Sequence, residues 1–204
     1  MLFEDTYLTI EKTSEATFRD RGSKFMGYAF PITSDQDIKS IITNLKQEHP
    51  KANHHCWAMR WSIDRSVFRI NDDGEPSGTA GRPILNTLLS RNLTNIAVVV
   101  VRYFGGTLLG VPGLINAYKT ASELALNETR IIEKTVNDVY TIAFDYLQMN
   151  DIMRVIKEDN LEILEQQFDN NCSIKVSIRK MQVNQTLNKL QKLSSVNANY
   201  NYTL

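Results

Sequence analysis

The sequence is short of cysteine, of net charge and of long apolar runs, and each shortage removes a class of protein. Only two cysteines occur, Cys56 and Cys172, 116 positions apart. That is too few for a disulfide framework and points to a reducing compartment. Lys plus Arg and Asp plus Glu each number 23 in 204 residues. Divided near Arg130, the first part holds 15 basic and 14 acidic residues, the second 8 and 9. Neither part is a polycation. This weighs against avid, non-specific nucleic-acid binding and leaves room for a local basic groove. The longest purely apolar run, residues 96–101, is far shorter than the ~20 residues of a membrane helix. The start, Met1-Leu2-Phe3-Glu4-Asp5, is acidic and lacks the basic and apolar regions of a signal peptide. The expectation is a soluble, cytoplasmic protein with no membrane contact, no internal repeat and no low-complexity linker.

What is present reads as an α+β chain in two lobes. The apolar share of 42% and charged share of 23% are those of an ordinary globular protein. Residues 8–12, 17–21 and 24–31 form strands, the third with Phe25, Gly27, Ala29 and Pro31 on one side. Residues 34–48 form a helix, with Ser34 as cap, Asp35 and Asp37 at its positive end, and Ile38, Ile41, Ile42 and Leu45 as its apolar stripe. Strands 54–61 and 67–71 make a hairpin turning near Asp64-Arg65. A loop, 72–81, leads to Pro83, which suits the first turn of a helix buried through Ile84, Leu85, Leu88 and Leu89. Residues 97–101, apolar on both parities, form a central strand. A second glycine-rich loop, 103–113, precedes a helix at 114–127. The second domain starts near Glu133: strand 136–144, helix 151–160, strands 162–168 and 173–180 joined by a turn at Asn170-Asn171, helix 185–193, strand 197–202. This βαββαβ order is ferredoxin-like and implies no function by itself. The expected domains are 1–132 and 133–204.

Two stretches carry chemistry. Residues 71–83 place Asp72, Asp73 and Glu75 in a turn and run through Gly78, Thr79 and Gly81 into a helix start. Free backbone N–H groups and the positive helix end favour an anion there, and Arg82 adds a bidentate grip. Carboxylates beside such a site suit Mg²⁺. The plainer reading is that the carboxylates cap turns and the glycines supply positive φ. The second stretch, 101–113, offers Arg102 at a strand end and Gly105, Gly106 and Gly110 in a loop. It is neither a P-loop nor a dinucleotide fingerprint, because Val111 follows Gly110 and the glycine spacing is wrong. His54-His55-Cys56 cannot converge on zinc, since adjacent strand residues face opposite ways. One histidine remains a candidate acid or base. Ser77 lacks the first glycine of a nucleophile elbow. Trp57, Trp61, Tyr103 and Phe104 are able to stack on bases and more often belong to a core.

Several segments resemble the YigZ/IMPACT family: Ser23-Lys24-Phe25, His49-Pro50 through His54-His55-Cys56, Asp72-Asp73-Gly74-Glu75-Pro76-Ser77-Gly78-Thr79-Ala80-Gly81, and Val99 to Gly106, with Gly110, Gly113-Leu114 and Ala117-Tyr118 continuing the match. The likeness covers roughly residues 15–125, and residues 135–204 resemble the C-terminal domain of bacterial members. Val111-Pro112 stands where the family has Thr-Gly, and Asn116 where it has a basic residue. The resemblance implies a first lobe like RNase PH and a ribosomal protein of the small subunit, and a second lobe like domains of elongation factor G. Eukaryotic relatives act in translational control by a kinase pathway that bacteria lack. The implied function is a non-enzymatic regulatory or binding protein near translation, with RNA or a ribosome-associated protein as partner and no sequence-specific DNA binding. Two alternatives stand beside it. One is a Mg-dependent enzyme on a phosphate-bearing substrate, using Asp72, Asp73 and Glu75 for the metal with His54 or Lys24 assisting. The other is a protein-interaction module without a small ligand, which requires an exposed apolar patch.

Overall fold

The computed structural model describes residues 5–62, 64–168 and 172–204. The chain divides into two compact units, one of Tyr7–Lys134 and one of Thr135–Leu204 together with Asp5 and Thr6.

The first unit is built on a five-stranded sheet of β2 (Ser14–Asp20), β3 (Ser23–Pro31), β6 (Ile96–Tyr103), β4 (His54–Trp61) and β5 (Val67–Asn71), in that spatial order. β6 lies between β3 and β4, antiparallel to both. Every residue from Ile96 to Arg102 is buried, as a run apolar on both parities requires. α1 (Asp37–Glu48) covers one face, packing Ile38 and Leu45 on Tyr28, Met59, Val99 and Val101. α2 (Gly81–Ser90) and α3 (Gly110–Asn127) cover the other, where Ile84, Leu88, Ala117 and Tyr118 meet Phe25, Cys56, Val98 and Val100. Gly27 permits the close fit of α3: a Cβ there would lie 2.4 Å from the Ala121 carbonyl oxygen. β1 (Thr6–Ile10) and β7 (Ile131–Thr135) form a separate two-stranded sheet.

Three features differ from the sequence expectation. β7 went unread, because its residues are mostly exposed and it abuts the next strand. The start of α1 is organised by Asp37, whose carboxylate accepts from the backbone N–H of Thr33 (2.7 Å) and Ser34 (3.0 Å) and from Ser34 Oγ (2.9 Å). That exceeds what the expected Ser34 cap provides, a single bond from the Gln36 N–H (3.2 Å). α3 begins at Gly110, four residues before the expected start. Val111 and Pro112 fit a first turn, where Pro sacrifices no intrahelical hydrogen bond.

The second unit contains β8 (Asn137–Phe144), α4 (Met149–Glu158), β9 (Glu162–Phe168), β10 (Cys172–Arg179), α5 (Val183–Gln191) and β11 (Val196–Thr203). The strands stand in the order β11-β8-β10-β9 with antiparallel neighbours. That is the ferredoxin-like arrangement, with Ile152, Ile156 and Leu190 packed on Ile142, Ile174 and Val176. The turn expected at Asn170-Asn171 lies outside the described residues. Asp5 groups with this unit, whereas the sequence reading assigned residues 1–132 to the first domain. The physical reason is local: Val136 N–H donates to the Asp5 carbonyl (2.7 Å), and Arg179 grips the Asp5 carboxylate through Nε (2.8 Å) and Nη2 (2.9 Å). That guanidinium holds the Asp5 carboxyl below the usual carboxylate range. Among the described residues, no helix is long and apolar enough to cross a membrane.

Candidate functional site

Arg102 is the centre of the site. In register across three strands it stands beside Phe25 of β3 and His54 of β4, on the face covered by α2 and α3. Its guanidinium lies 5.3 Å from the Phe25 ring centroid and 5.6 Å from that of Phe104. Nη1 donates to Glu75 Oε1 at 2.5 Å, with both residues over nine-tenths buried. The Tyr118 hydroxyl donates to the same oxygen at 2.7 Å. A buried charge pair of this kind is tolerated because each partner is compensated and hydrogen-bonded. Arg102 Nε is also buried and has no hydrogen-bond partner among the described residues.

The loop before α2 holds Glu75 in place. Asp73 and Gly74 take positive φ, at 41° and 89°. Glu75 N–H closes the turn on the Asp72 carbonyl at 2.9 Å. His54 Nδ1 donates to the Asp73 carbonyl at 2.8 Å, which leaves Nε2 3.8 Å from Glu75 Oε1. Cys56 Sγ lies 3.0 Å from the Asp72 carbonyl and 3.3 Å from the Tyr118 hydroxyl. Burial pushes the Cys56 thiol and the Tyr118 phenol well above their ordinary pKa values. Both therefore stay protonated at neutral pH.

The anion favoured by the start of α2 is supplied by the chain itself. Asp72 Oδ1 accepts from the N–H groups of Ala80 (3.1 Å) and Gly81 (2.8 Å), and Oδ2 from Gly78 (2.9 Å). Thr79 is buried, and its N–H and hydroxyl both donate to the Pro76 carbonyl. Arg82 is exposed on α2 and makes no ion pair among the described residues. The expectation that the Gly78, Thr79 and Gly81 amides cradle an external anion with Arg82 is corrected accordingly, since all three amides are already engaged and only the exposed Arg82 keeps its donors.

The carboxylates do not converge. Asp72 faces the α2 amides. Asp73 Oδ2 accepts from the His55 N–H at 2.6 Å, and its Oδ1 lies 3.5 Å from Lys46 Nζ. Glu75 faces Arg102 and Tyr118. Among the described residues, no three His, Cys, Asp or Glu side chains are grouped to hold a metal ion. The Mg²⁺ arrangement read from Asp72, Asp73 and Glu75 is thus not formed. Lys24 is also separated from His54: it alternates with Phe25 and pairs with Tyr103, on the face covered by α1. His55 points to that same face, and burial lowers its pKa. Arg102, Glu75 and His54 are the expected residues that meet.

The second loop is fixed to the chain's own backbone. Gly105 N–H donates to Ser23 Oγ at 3.1 Å, and Phe104 N–H to Asn53 Oδ1 at 2.8 Å. A Cβ on Gly105 would lie 1.9 Å from the carbonyl carbon of Gly22. Gly106 and Gly110 take positive φ, at 86° and 71°. Trp57, Trp61 and Tyr103 border the α1-side core, and Tyr103 is tied through His49 Nδ1 (3.0 Å) to a ring whose Nε2 meets the Tyr28 hydroxyl (2.8 Å). Phe104 and Leu108 are exposed, at 45% and 83%, as are Val111 and Ile115 one turn apart on α3.

Sequence reasoning missed Tyr118 as a partner of Glu75. The available signal was a polar-tipped aromatic in the stripe Leu114, Ala117, Tyr118, Ala121 and Ala125, because a buried tyrosine hydroxyl needs an acceptor.

Residues 21–126 match the Impact N-terminal domain. The IMPACT family member YigZ of Escherichia coli (strain K12) is 33% identical over 84% of this chain and 85% of its own length. An IMPACT family member of Haemophilus influenzae is 34% identical over 85% of each chain. A solved crystal structure, described as that of a hypothetical protein, superposes with a TM-score of 0.72 at 28% identity, over 96% of this chain and 97% of that one. The chain belongs to the IMPACT family.

Proposed function

We propose that this protein is a non-enzymatic regulatory binding protein of the translation machinery, which docks on a ribonucleoprotein through the second glycine-rich loop and the start of α3. The observation that carries this reading is the exposure of Phe104, Leu108, Val111 and Ile115 beside a sealed Arg102–Glu75–Tyr118 network. Exposed apolar side chains grouped in one short stretch of sequence are the mark of an interaction surface. The family resemblance implies a role near translation, and this supplies the class of partner. Contact with RNA or a ribosome-associated protein is the finer form of the same reading.

The rival reading, a Mg-dependent enzyme, loses support from the divergence of Asp72, Asp73 and Glu75. Catalysis needs its groups to face one reacting position, and these three face separate partners. Sedimentation of the purified chain with ribosomal particles through a sucrose gradient tests the proposal. Migration with a particle fraction supports it, and recovery of all the protein at the top of the gradient opposes it.

A further inference from the structure

We propose that β11 is a pairing edge for a second copy of this chain, the two copies joining antiparallel through Val196–Tyr200 into one continuous sheet. β11 ends the four-stranded sheet of the second unit, with β8 as its one neighbour. An edge strand presents unpaired backbone N–H and C=O groups, and proteins that stay apart guard such edges with charged side chains or proline. The other three edges of the two large sheets are guarded by charge. β2 carries Glu15, Arg19 and Asp20, β5 carries Arg69, and β9 carries Glu162 and Glu165. β11 reads Val-Asn-Ala-Asn-Tyr-Asn-Tyr-Thr, with no charge and no proline. Its Tyr200 and Tyr202 are 56% and 46% exposed, and Asn197 and Asn199 are exposed too.

The order of residues in β11 selects a second copy as the occupant. Val196–Tyr200 pairs with β8 without a break, and the register shifts only after Tyr200. A two-fold axis through Ala198 sets Val196 of each copy opposite Tyr200 of the other, and Asn197 opposite Asn199. Directly opposed residues share a face of the sheet. Val196 and Ala198 already pack on the helix-covered core, and the Tyr200 ring lies 5.7 Å from that of Tyr140. The joint therefore extends an existing apolar row with a β-branched residue against an aromatic one, a favourable cross-strand pair. On the other face the asparagines oppose one another, each able to donate and accept. β9 fails the same test. It keeps register with β10 only from Glu165 to Phe168, and self-pairing about Glu165 sets that carboxylate against its own copy. The joined sheet ends in β9 on both sides, so association stops at two chains.

Sedimentation velocity of the full chain at rising concentration tests this. The expected result is a mass that moves from that of one chain to that of two. The double variant Asn197→Lys, Asn199→Lys sets two pairs of like charges across the joint and raises the dissociation constant of the dimer about tenfold or more. Asn197→Glu, Asn199→Glu does the same. Mixing the two variants restores a dimer at least as tight as the wild type, which a merely structural role for these exposed residues would not produce. If either variant does not fold by circular dichroism, hydrogen exchange of the wild type decides: the amides of 196–200 gain protection as concentration rises, and those of β9 do not. A mass that stays at one chain, a dimer that survives the lysine substitutions, a mixture that stays monomeric, or protection independent of concentration overturns the proposal.

Discussion

Arg102 Nη1 donates to Glu75 Oε1 at 2.5 Å inside the first unit, and Tyr118 donates to the same oxygen from α3. The pair ties the loop before α2 to the end of the central strand.

Removing one partner leaves a buried, unpaired charge. Glu75→Ala is expected to destabilise the fold by about 3–5 kcal/mol, and Arg102→Ala by a similar amount. The double variant costs much less than the sum, because the two residues share one interaction. Chemical denaturation of the two single variants and the double variant checks this, and additive costs would show that the pair is uncoupled.

Asp72 acts as the anion of α2, accepting from three backbone N–H groups. Asp72→Ala therefore costs about 0.5–2 kcal/mol, as loss of a helix-capping side chain does. The freed donors then favour a small external anion. Sulfate should raise the melting temperature of this variant more than it raises that of the wild type, and an equal rise in both would contradict the account.

Gly105 has no room for a side chain, with a Cβ falling 1.9 Å from the Gly22 carbonyl carbon. Gly105→Ala should cost about 1–3 kcal/mol through overpacking. Gly78, whose Cβ would meet nothing within 4 Å, pays only for its φ of 78°. The thermal midpoint of Gly78→Ala should exceed that of Gly105→Ala.

Tyr28 gives a sign to alkaline stability. Burial raises its pKa in the folded state from 10.0 to about 12. The folded chain holds this proton more tightly than the unfolded one, so the contribution is complete below pH 10.0 and is lost as pH rises towards about 12. Asp5 acts in the opposite sense. Its pKa is lowered from 3.8, so its contribution is present above that value and is lost as pH falls through the lower folded value. Tyr28→Phe should flatten the alkaline limb of a stability–pH curve and Asp5→Asn the acid limb.

These predictions show which parts of the molecule were legible in the sequence. The central strand was, because six consecutive apolar residues at 96–101 satisfy both faces. The second unit was, because its elements follow one another in βαββαβ order. The helix start at residue 110 was harder, since Gly110 and Pro112 read as loop although proline fits a first turn. At the site, local motifs located Glu75, His54 and Arg102 but not their directions. Asp72, Asp73 and Glu75 fall within four residues and read alike, and tertiary hydrogen bonds send them to the α2 amides, the His55 N–H and Arg102. Lys24 was misjudged for a simpler reason. The strand parity that buries Phe25 puts its neighbour on the other face, as it does for His54 and His55.

The central claim is that the 104–115 surface docks on a ribonucleoprotein. Its most direct test is sedimentation of wild-type and Leu108→Glu, Val111→Glu protein with ribosomal particles, at matched concentration and salt. Both side chains are exposed, so the variant should keep the wild-type melting temperature. The account predicts wild-type protein in the particle fractions and at least a tenfold smaller share of the folded variant there. Equal sedimentation of the two proteins, or none of the wild type, would contradict it.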